Sequence, residues 1–456
     1  MRRVVAIAWL AVRAAVRSRV VAVLLVLLVG AIVGLPLTVK SDGTPAGEVQ
    51  VRLTYTLGAV GMILMVATWW AGCAAVAVEL QEKQAQVLLT KPVRRAELWW
   101  GKWLGLVGLV GVLLAISGAV IYAMLQWQLG QLSLSEAQRA ELAEQVLVAR
   151  RGVRPVPVEV RAAAREELER RRQAGELPVG QPVDQVLQAI EEAMLRAAFT
   201  VPPGFKRRWE FELPVAVRGP RPVVVRYRFE SAAGRGEMMR GVWLAGPAEG
   251  TLEWSVERWS AAGGEHAVQV PAEVFGGARR VAIEYANVHR EPVAVTFDPK
   301  EGLELMMYAG TFEGNLVRGL VVWWVRLALL GAVTVSAGSL VSLPVAALVS
   351  GYAMLLAAAA ESVGEMARDP AVFEVAERGW LERGVEAVVG AMLWVQKVAV
   401  QPLRGPSVLE ALAEGRVVGL ETVAWTVVIY GVVYGGLCAV GAAFLLNRRE
   451  VALASA

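Results

Sequence analysis

The stretch Trp103–Leu125, WLGLVGLVGVLLAISGAVIYAML, decides the fold class of this chain. It carries no charged residue. A helix of about 20 apolar residues, rising about 1.5 Å per residue, is long enough to cross the hydrocarbon core of a bilayer. An uninterrupted apolar run of this length is typical of a transmembrane helix. The sequence therefore predicts a membrane protein.

Further apolar segments share this character, and together they predict an α-helical polytopic protein with six transmembrane helices. The predicted spans are 20–39, 56–79, 103–125, 317–337, 343–360 and 421–446. The first is predicted to be a retained anchor, because its apolar run is longer than a signal-peptide core and no A-x-A-like cleavage site follows it. Since the fourth and fifth spans are joined by uncharged residues, this pair either crosses twice or forms a re-entrant hairpin.

The composition supports the same class. Of 456 residues, 56% are hydrophobic and 19% are charged, whereas soluble proteins carry about 45–50% apolar and about 25% charged residues. This balance excludes a disordered chain and a plain soluble enzyme. The net charge of +4, from 46 basic and 42 acidic residues, is too balanced to indicate nucleic-acid binding. Cys73 and Cys438 lie in apolar runs and predict neither a disulfide framework nor a cysteine zinc site.

Basic residues predict the orientation of the spans, because cytoplasmic loops are enriched in Lys and Arg. Residues 1–19 contain five arginines and no acidic residue, residues 81–102 are also basic, and the tail begins Asn447-Arg448-Arg449. The loop 40–55 holds only two basic residues. We therefore expect both termini to be cytoplasmic, in a bacterial-type inner membrane.

A further apolar stretch, residues 385–400, lies between the fifth and sixth spans. It is short and contains Glu386, Gln396 and Lys397. A crossing here would force the basic tail outside, so an amphipathic helix at the outer interface is favoured over a seventh span. The predicted order is an amphipathic cytoplasmic helix (1–19), three spans with a cytoplasmic loop at 80–102 (20–125), an extracytoplasmic domain (126–315), two spans (316–361), an extracytoplasmic amphipathic segment (362–420), the last span (421–446) and a cytoplasmic tail (447–456).

Residues 126–315 have the composition of a soluble domain and predict an extracytoplasmic α+β fold. Helical patterns, including one over 137–150, occupy residues 131–200. After Pro202-Pro203-Gly204 the apolar period changes to two, and residues 207–300 predict about seven short strands, as in a β-sandwich. A sandwich does not by itself specify a function.

No catalytic or metal-binding motif is present in the sequence. His266 and His289 fall in predicted turns, and neither H-E-x-x-H nor G-x-S-x-G occurs. Gly101-Lys102 resembles the end of a phosphate-binding loop, but Ala96 stands where its first glycine would be. The sequence therefore predicts no catalytic residue, metal or cofactor in this chain, and any dependence on ATP must come from a partner.

The strongest candidate site is the loop between the second and third spans, ELQEKQAQVLLTKPVRRAELWWGKW at Glu79–Trp103. It predicts two short helices broken before Pro92, because a residue preceding proline is biased away from the α region. One interpretation is an interfacial loop with an aromatic belt formed by three tryptophans. The other is a docking element in which Leu88 and Leu89 enter a partner's groove.

This loop resembles the coupling loop of ATP-binding-cassette permeases of the type-2 export family. The resemblance is carried by LLTKPV at 88–93, RRAEL at 94–98 and Gly101-Lys102. Residues 2–19 resemble the elbow helix of that family, in which Ile7, Leu10 and Ala14 form the apolar face. The tail at 447–450 and, more loosely, residues 312–318 are also similar. The resemblance covers the membrane half, and the insertion between the third and fourth spans departs from it.

The resemblance implies a permease subunit that works with a separate cytoplasmic ATPase, which holds the ATP and Mg, and with a second permease copy or paralogue. If the chain works with such an ATPase, three roles are open for the external domain: to capture substrate, to contact a periplasmic or envelope partner, or to receive mechanical work. The implied coupling residues are Gln84, Leu88, Leu89, Thr90, Lys91, Pro92, Arg94, Arg95 and Glu97. The alternatives are a membrane-anchored extracytoplasmic binding or sensory protein and an envelope scaffold.

Arg326 is an intramembrane candidate, since it lies about nine residues into the fourth predicted span, roughly 13 Å deep. An arginine near the bilayer centre is unfavourable by several kcal/mol unless it faces protein or water. Either it lines a translocation path or a dimer interface, or the helix begins near Thr311 and Arg326 is a structural contact of the bundle. Glycines at 101, 105, 108 and 111 predict close helix packing.

Overall fold

The computed structural model describes residues 2–17, 19–38, 45–81, 94–131, 147–177, 183–217, 219–366 and 408–448. The chain forms two compact units. The helical unit comprises Met1–Ala149 and Thr311–Ala456, and the strand-rich unit comprises Arg150–Gly310. The soluble domain is therefore shorter than the predicted 126–315, because α4, defined below, continues helically to Gln131.

The helices are numbered in chain order. They are α1 (Arg2–Arg17), α2 (Arg19–Thr38), α3 (Pro45–Gln81), α4 (Arg95–Gln131), α5 (Arg161–Gln173), α6 (Val183–Ala198), α7 (Phe312–Leu340), α8 (Leu343–Met366), α9 (Val408–Ala413), α10 (Leu420–Thr426) and α11 (Gly435–Arg448). A π-helical segment, Val427–Tyr434, joins α10 to α11. α5 and α6 belong to the strand-rich unit, and the others belong to the helical unit.

Four helical stretches in the described chain are long and apolar enough to cross a membrane. They are Val49–Glu79, Arg95–Gln131, Phe312–Leu340 and Leu420–Leu445. α1 and α2 form a pair bent by 68°, which makes a fifth if the pair is one span. The apolar stretch at the start of α8, Leu343–Leu355, is shorter. All six predicted spans coincide with helices, but only four meet the length and hydropathy of a span on their own.

Glycines bring the long helices of the helical unit into close contact. A Cβ added to Gly72 of α3 would overlap the hydroxyl of Thr334 in α7, and one added to Gly338 of α7 would overlap the backbone of Cys73 in α3. Small residues at such crossings allow backbones to approach, which is how helices pack in lipid. The packing of α3 on α7 therefore depends on these two glycines.

The predicted packing role of the α4 glycines holds for three of the four. Gly101 and Gly105 lie against α1, and Gly111 leaves room for the indole of Trp324. A Cβ at Gly108 would meet nothing within 4 Å. Gly108 therefore lies on a face of α4 that has no close neighbour in the described chain.

α9, within the segment 362–420 that the sequence predicts to be amphipathic and helical, is buried in the helical unit. Leu409 of α9 packs at Gly61 of α3, and Leu412, 0% exposed, packs at Gly319 of α7. The two glycines leave the space that these leucines fill, and sequence periodicity could not show this pairing. The predicted amphipathic helix at 385–400 lies outside the described residues.

Asn315 of α7 fixes the chain that follows α9. It is 1% exposed, its Nδ2 donates to the Arg416 carbonyl oxygen at 2.8 Å, and its Oδ1 accepts from the Val418 backbone N–H at 2.7 Å. A buried amide that satisfies two backbone groups specifies one position for this turn. The segment therefore enters the last helix from a defined position.

The strand-rich unit contains ten strands. They are β1 (Val148–Val153), β2 (Thr200–Val201), β3 (Lys206–Glu212), β4 (Val223–Ser231), β5 (Met238–Pro247), β6 (Trp254–Ala261), β7 (Glu265–Val270), β8 (Arg280–Asn287), β9 (Val295–Phe297) and β10 (Leu303–Thr311). One antiparallel sheet has the order β3-β8-β5-β6. The other has the order β1-β10-β4-β9-β2, with β7 also paired to β4.

The two sheets share one buried aromatic core. Trp243 of β5 lies 4.5 Å from Tyr227 of β4 between ring centroids, and Phe297 of β9 also contacts Trp243. The predicted alternation along β4 is confirmed, because Val225, Tyr227 and Phe229 are buried while the residues between them are not. The coarse prediction of long apolar helices and a separate strand-rich domain is confirmed, and that domain contains two antiparallel sheets.

Three strands were not predicted, and one of them includes the last three residues of a predicted helix. The sequence pattern predicts helix over residues 137–150, but Val148–Val153 is a strand. Arg150, 3% exposed, donates from Nη1 to the Pro222 carbonyl oxygen at 2.9 Å. Pairing of β1 with β10 overrides the local helical tendency, because the strand gains ladder hydrogen bonds that depend on a distant segment.

Candidate functional site

The candidate site lies at the end of the helical unit where α3 ends, at Gln81, and α4 begins, at Arg95. This end of the unit is called the loop end. Arg94, Arg95 and Glu97 are described there. The predicted coupling residues Gln84, Leu88, Leu89, Thr90, Lys91 and Pro92 lie outside the described residues.

Glu97 caps the start of α4. Its Oε2 accepts a hydrogen bond from the Arg94 backbone N–H at 2.9 Å, and the Arg94 carbonyl accepts the first helical bond, from Leu98, at 3.2 Å. A glutamate in the first turn that reaches back to the N-cap satisfies a backbone donor and complements the helix dipole. Arg94 and Glu97 thus end the loop at a defined point, and the Arg94 side chain remains exposed.

An ion pair joins the two helices that flank the loop. Lys102 Nζ of α4 contacts Glu79 Oε1 of α3, and their side chains are 12% and 22% exposed. A pair held this far from solvent is screened less than a surface pair. Glu79 lies two residues before the end of α3, and Lys102 lies seven residues after the start of α4. The pair therefore holds the two helices together close to the loop that joins them.

Two tryptophans of the predicted aromatic belt are anchored to α7 instead of lying at an interface. Trp99 is 1% exposed, and its Nε1 donates to Ser336 Oγ at 3.2 Å. Trp103 Nε1 donates to the Ala328 carbonyl oxygen at 2.8 Å, and its ring stacks on Trp99 with centroids 5.8 Å apart. Only Trp100, 38% exposed, resembles a belt residue. A buried indole N–H needs an acceptor, and α7 supplies it.

A third indole hydrogen bond has its donor on α7 and its acceptor on α4. Trp324 Nε1 of α7 donates to the Val107 carbonyl oxygen of α4 at 3.0 Å. The three bonds connect α4 to α7 over several helical turns, starting in the second turn of α4. Sequence reasoning noted the tryptophans but could not identify their acceptors, which lie more than 200 residues away along the chain.

α1 packs along the first turns of α4. Ile7, 7% exposed, lies against Gly101, and the backbone of Ala8 lies against Gly105. Leu10, which the sequence assigns to the apolar face, is 60% exposed, and Trp9 is 66% exposed. The packed face is therefore a narrow stripe of Ile7 and Ala8, and the exposed apolar residues with the arginines make α1 a helix suited to a membrane surface.

Arg326 lies near the middle of α7 and is 8% exposed. α7 begins at Phe312, as the structural alternative for Arg326 requires, and the arginine is enclosed in the helical unit. The π-helical segment packs at Gly431 against Val325, the residue before Arg326. A π-turn inside a long helix is often found at functional sites. The buried arginine and the π-helical segment are therefore close neighbours in the helical unit.

α7 follows a strand without a linker. β10 ends at Thr311 and α7 begins at Phe312. Thr311 is the N-cap, and its Oγ1 accepts from the Gly314 backbone N–H at 3.4 Å. α7 therefore begins at the residue that directly follows β10.

The strand-rich unit offers no catalytic arrangement among its described residues. No group of three His, Cys, Asp or Glu side chains that could hold a metal occurs in the described part of the chain. His266 lies in β7, not in a turn, and its Nε2 is 2.8 Å from the Ala261 carbonyl oxygen. Burial raises the pKa of the Tyr227 phenol, which hydrogen-bonds Ser260 Oγ at 2.7 Å. These contacts are structural.

Comparison with protein-family models, with curated proteins and with solved structures finds no match to this chain.

Proposed function

We propose that this chain is the membrane permease subunit of an ATP-driven transporter. In this proposal a separate cytoplasmic ATPase docks on residues 84–97 at the loop end, and its closure moves α4. The observation that carries the proposal is the set of contacts that makes the loop end stiff: the Glu79–Lys102 pair and the indole bonds of Trp99 and Trp103 to α7. A loop that served only as a connection would not need an ion pair between its flanking helices or hydrogen bonds from the start of α4 to a third helix.

The same contacts give a route for the motion. A push on the start of α4 is passed to α7 by Trp99, Trp103 and Trp324. α7 carries Arg326 and continues at Thr311 into β10. The work of the ATPase thus reaches both the buried arginine and the strand-rich unit, where it drives substrate export or acts on an extracytoplasmic partner.

The remaining parts of the proposal follow from the charge distribution and the resemblance. The chain lies in a bacterial-type inner membrane with both termini in the cytoplasm. It pairs with a second permease copy or paralogue, and ATP and Mg are bound by the ATPase. In this proposal the ATPase, and not this chain, supplies the nucleotide-binding and catalytic residues.

The test is purification of the full-length chain from its native membranes, followed by measurement of co-purifying ATPase protein and ATP turnover. We expect Leu88→Ala or Leu89→Ala to lower co-purification by about tenfold, as for an apolar anchor in a groove. Arg94→Ala changes it by less than about fivefold, since its side chain is exposed and rim charges contribute little.

A second pair of variants separates docking from coupling. Trp99→Phe removes the bond to Ser336 and is expected to keep the ATPase bound while lowering its stimulated turnover. Trp100→Phe is the matched control one residue away, with a partly exposed indole, and should behave as wild type. The proposal is rejected if no ATPase co-purifies or if both leucine variants retain it fully. A strand-rich unit that binds its ligand without any ATPase would favour the membrane-anchored binding or sensory alternative.

A further inference from the structure

β6 is the outermost strand of the sheet β3-β8-β5-β6. It pairs with β5 along its whole length, from Trp254 opposite Ala245 to Ala261 opposite Met238. In the described part of the chain it has no strand partner on its other side. An edge strand presents a row of backbone N–H and C=O groups that can pair with another strand. β6 is therefore an open template for strand addition.

The devices that usually protect an edge strand are missing from β6. Its sequence, WSVERWSA at 254–261, contains no proline, glycine or lysine, and its register with β5 advances without a bulge. At the opposite edge of the sheet, the Val156 backbone N–H donates to the Glu210 carbonyl oxygen of β3 at 2.8 Å. Natural sheets use prolines, lysines, bulges or a covering segment to prevent unwanted pairing. We therefore expect the unprotected edge of β6 to be used.

The two faces of β6 differ in character. Trp254 and Val256 pack in part against the aromatic core, on the same face of the sheet as Trp243. Glu257 lies on the outer face, where its carboxylate accepts from Arg240 Nε and Nη2 at 2.6 and 3.0 Å. Trp254 and Val256 are only half-buried, so a strand added beside β6 would cover more of their apolar surface.

The charges of β6 decide how the strand can pair with a second copy of itself. Opposed residues of an antiparallel pair lie on the same face, so the two-fold axis passes through a residue and not between two residues. An axis at Glu257 would oppose two carboxylates, and an axis at Arg258 would oppose two guanidinium groups. Like charges directly opposite each other are destabilising. An axis at Val256 avoids both, and registers centred closer to either end pair fewer residues.

The register centred on Val256 also gives the neighbouring residues favourable partners. Val256 opposes Val256 of the second copy, which makes a β-branched pair. Arg258 opposes Trp254 of the second copy, and a guanidinium is attracted to the face of an indole ring. Glu257 opposes Ser255 of the second copy, whose hydroxyl can donate to a carboxylate. The charge pattern is thus complementary to the same strand in a second copy.

We propose that β6 pairs in an antiparallel ladder with β6 of a second copy of this chain, with Val256 at the two-fold axis. The two four-stranded sheets then join into one continuous sheet. The inference rests on the proposed function for the presence of a second permease copy, and it names the surface through which the copies meet. It is independent of ATPase docking, because β6 and residues 84–97 belong to different units.

Cysteine crosslinking of the full-length chain in its native membranes tests this pairing. Val256→Cys places two thiols at opposed positions, where Cα atoms lie about 4.5–5.5 Å apart, within the range of a disulfide. Arg258→Cys is the matched control, since its symmetry mate is four residues, about 13 Å, away along the ladder. After mild oxidation, we expect Val256→Cys to yield at least about fivefold more disulfide-linked dimer than Arg258→Cys on a non-reducing gel. Wild type, with Cys73 and Cys438, sets the background.

Two exposed positions report the register without disturbing the core. Ser255→Cys and Glu257→Cys, carried on differently tagged chains in one cell, should form a mixed dimer, because these positions oppose each other. Equal crosslinking of Val256→Cys and Arg258→Cys, a disulfide from Val256→Cys to another protein, or no dimer above the wild-type background would each overturn the proposal. An ATPase that co-purifies with a chain that does not crosslink would reject this inference alone, whereas a crosslinked chain without an ATPase would reject only the proposed function.

Discussion

The helical unit and the strand-rich unit are held together in different ways. Trp243, Tyr227 and Phe297 form part of one aromatic core between the two sheets of the strand-rich unit. In the helical unit, close contacts at Gly72 and Gly338 and indole hydrogen bonds between α4 and α7 recur instead. Most of the largest fully buried side chains of the described chain belong to the strand-rich unit.

The difference reflects the solvent each unit meets. In water, burial of apolar surface drives folding. Between helices in lipid, that driving force is small, so close packing and interhelical hydrogen bonds specify the arrangement. The helical unit should therefore be sensitive to volume at its glycines, and the strand-rich unit to loss of apolar volume in its core.

The largest expected effect is that of Gly72→Leu, which tests whether close contacts at glycines hold the helical unit together. Even a Cβ at this position would overlap the Thr334 hydroxyl, so a leucine should separate α3 from α7 and destabilise the helical unit by more than about 3 kcal/mol. Thermal unfolding of the purified chain, followed by gel filtration in detergent, measures the loss. Gly108→Leu is the matched control, since a Cβ there meets nothing within 4 Å, and it should leave the transition unchanged. Equal effects of the two variants would show that these glycines do not set the packing.

Removal of a large core side chain tests the strand-rich unit. Trp243 is 1% exposed, so Trp243→Ala should destabilise this unit by about 3–5 kcal/mol. Trp259, 55% exposed, is the control, and Trp259→Ala should stay within about 0.5 kcal/mol of wild type. Hydrogen exchange of the full chain locates the effect: protection should fall in β4, β5 and β8 and persist in α4. Loss of protection in α4 as well would mean that the two units unfold as one.

The smallest expected effect is a loss of stability at alkaline pH, specific to the strand-rich unit. Burial raises the pKa of Tyr285 well above 10, its ordinary value. The folded state therefore holds this proton where the unfolded chain releases it. The resulting stability is complete below pH 10 and declines as the pH rises above it. Unfolding measured by circular dichroism in this range should become less pH-dependent in Tyr285→Phe. Tyr308→Phe, at a ring that is 39% exposed, is the control. A Tyr285→Phe curve parallel to wild type would contradict this assignment.

The comparison between the two units also explains how far the sequence could be used to predict this molecule. Apolar run length located the four helical stretches that are long enough to cross a bilayer, because crossing imposes a local requirement on each segment separately. The two-residue period of Val223–Phe229 located β4 for the same reason. β1, β10 and α9 were missed, since each depends on a partner far away along the chain.

The features of the candidate site also fall into two groups: those that the sequence indicates and those that only the structure shows. The charges of Arg94, Arg95 and Glu97 and the apolar pair Leu88-Leu89 are visible in the sequence as a docking pattern. The acceptors of Trp99 and Trp103 and the enclosure of Arg326 beside a π-turn are not. Hydropathy, charge asymmetry and strand period are properties of consecutive residues, so the sequence alone determined a helical membrane part with an inserted strand-rich domain. The contacts of the glycines and the hydrogen bonds of the indoles join segments that are remote along the chain. Only the tertiary structure therefore decided them.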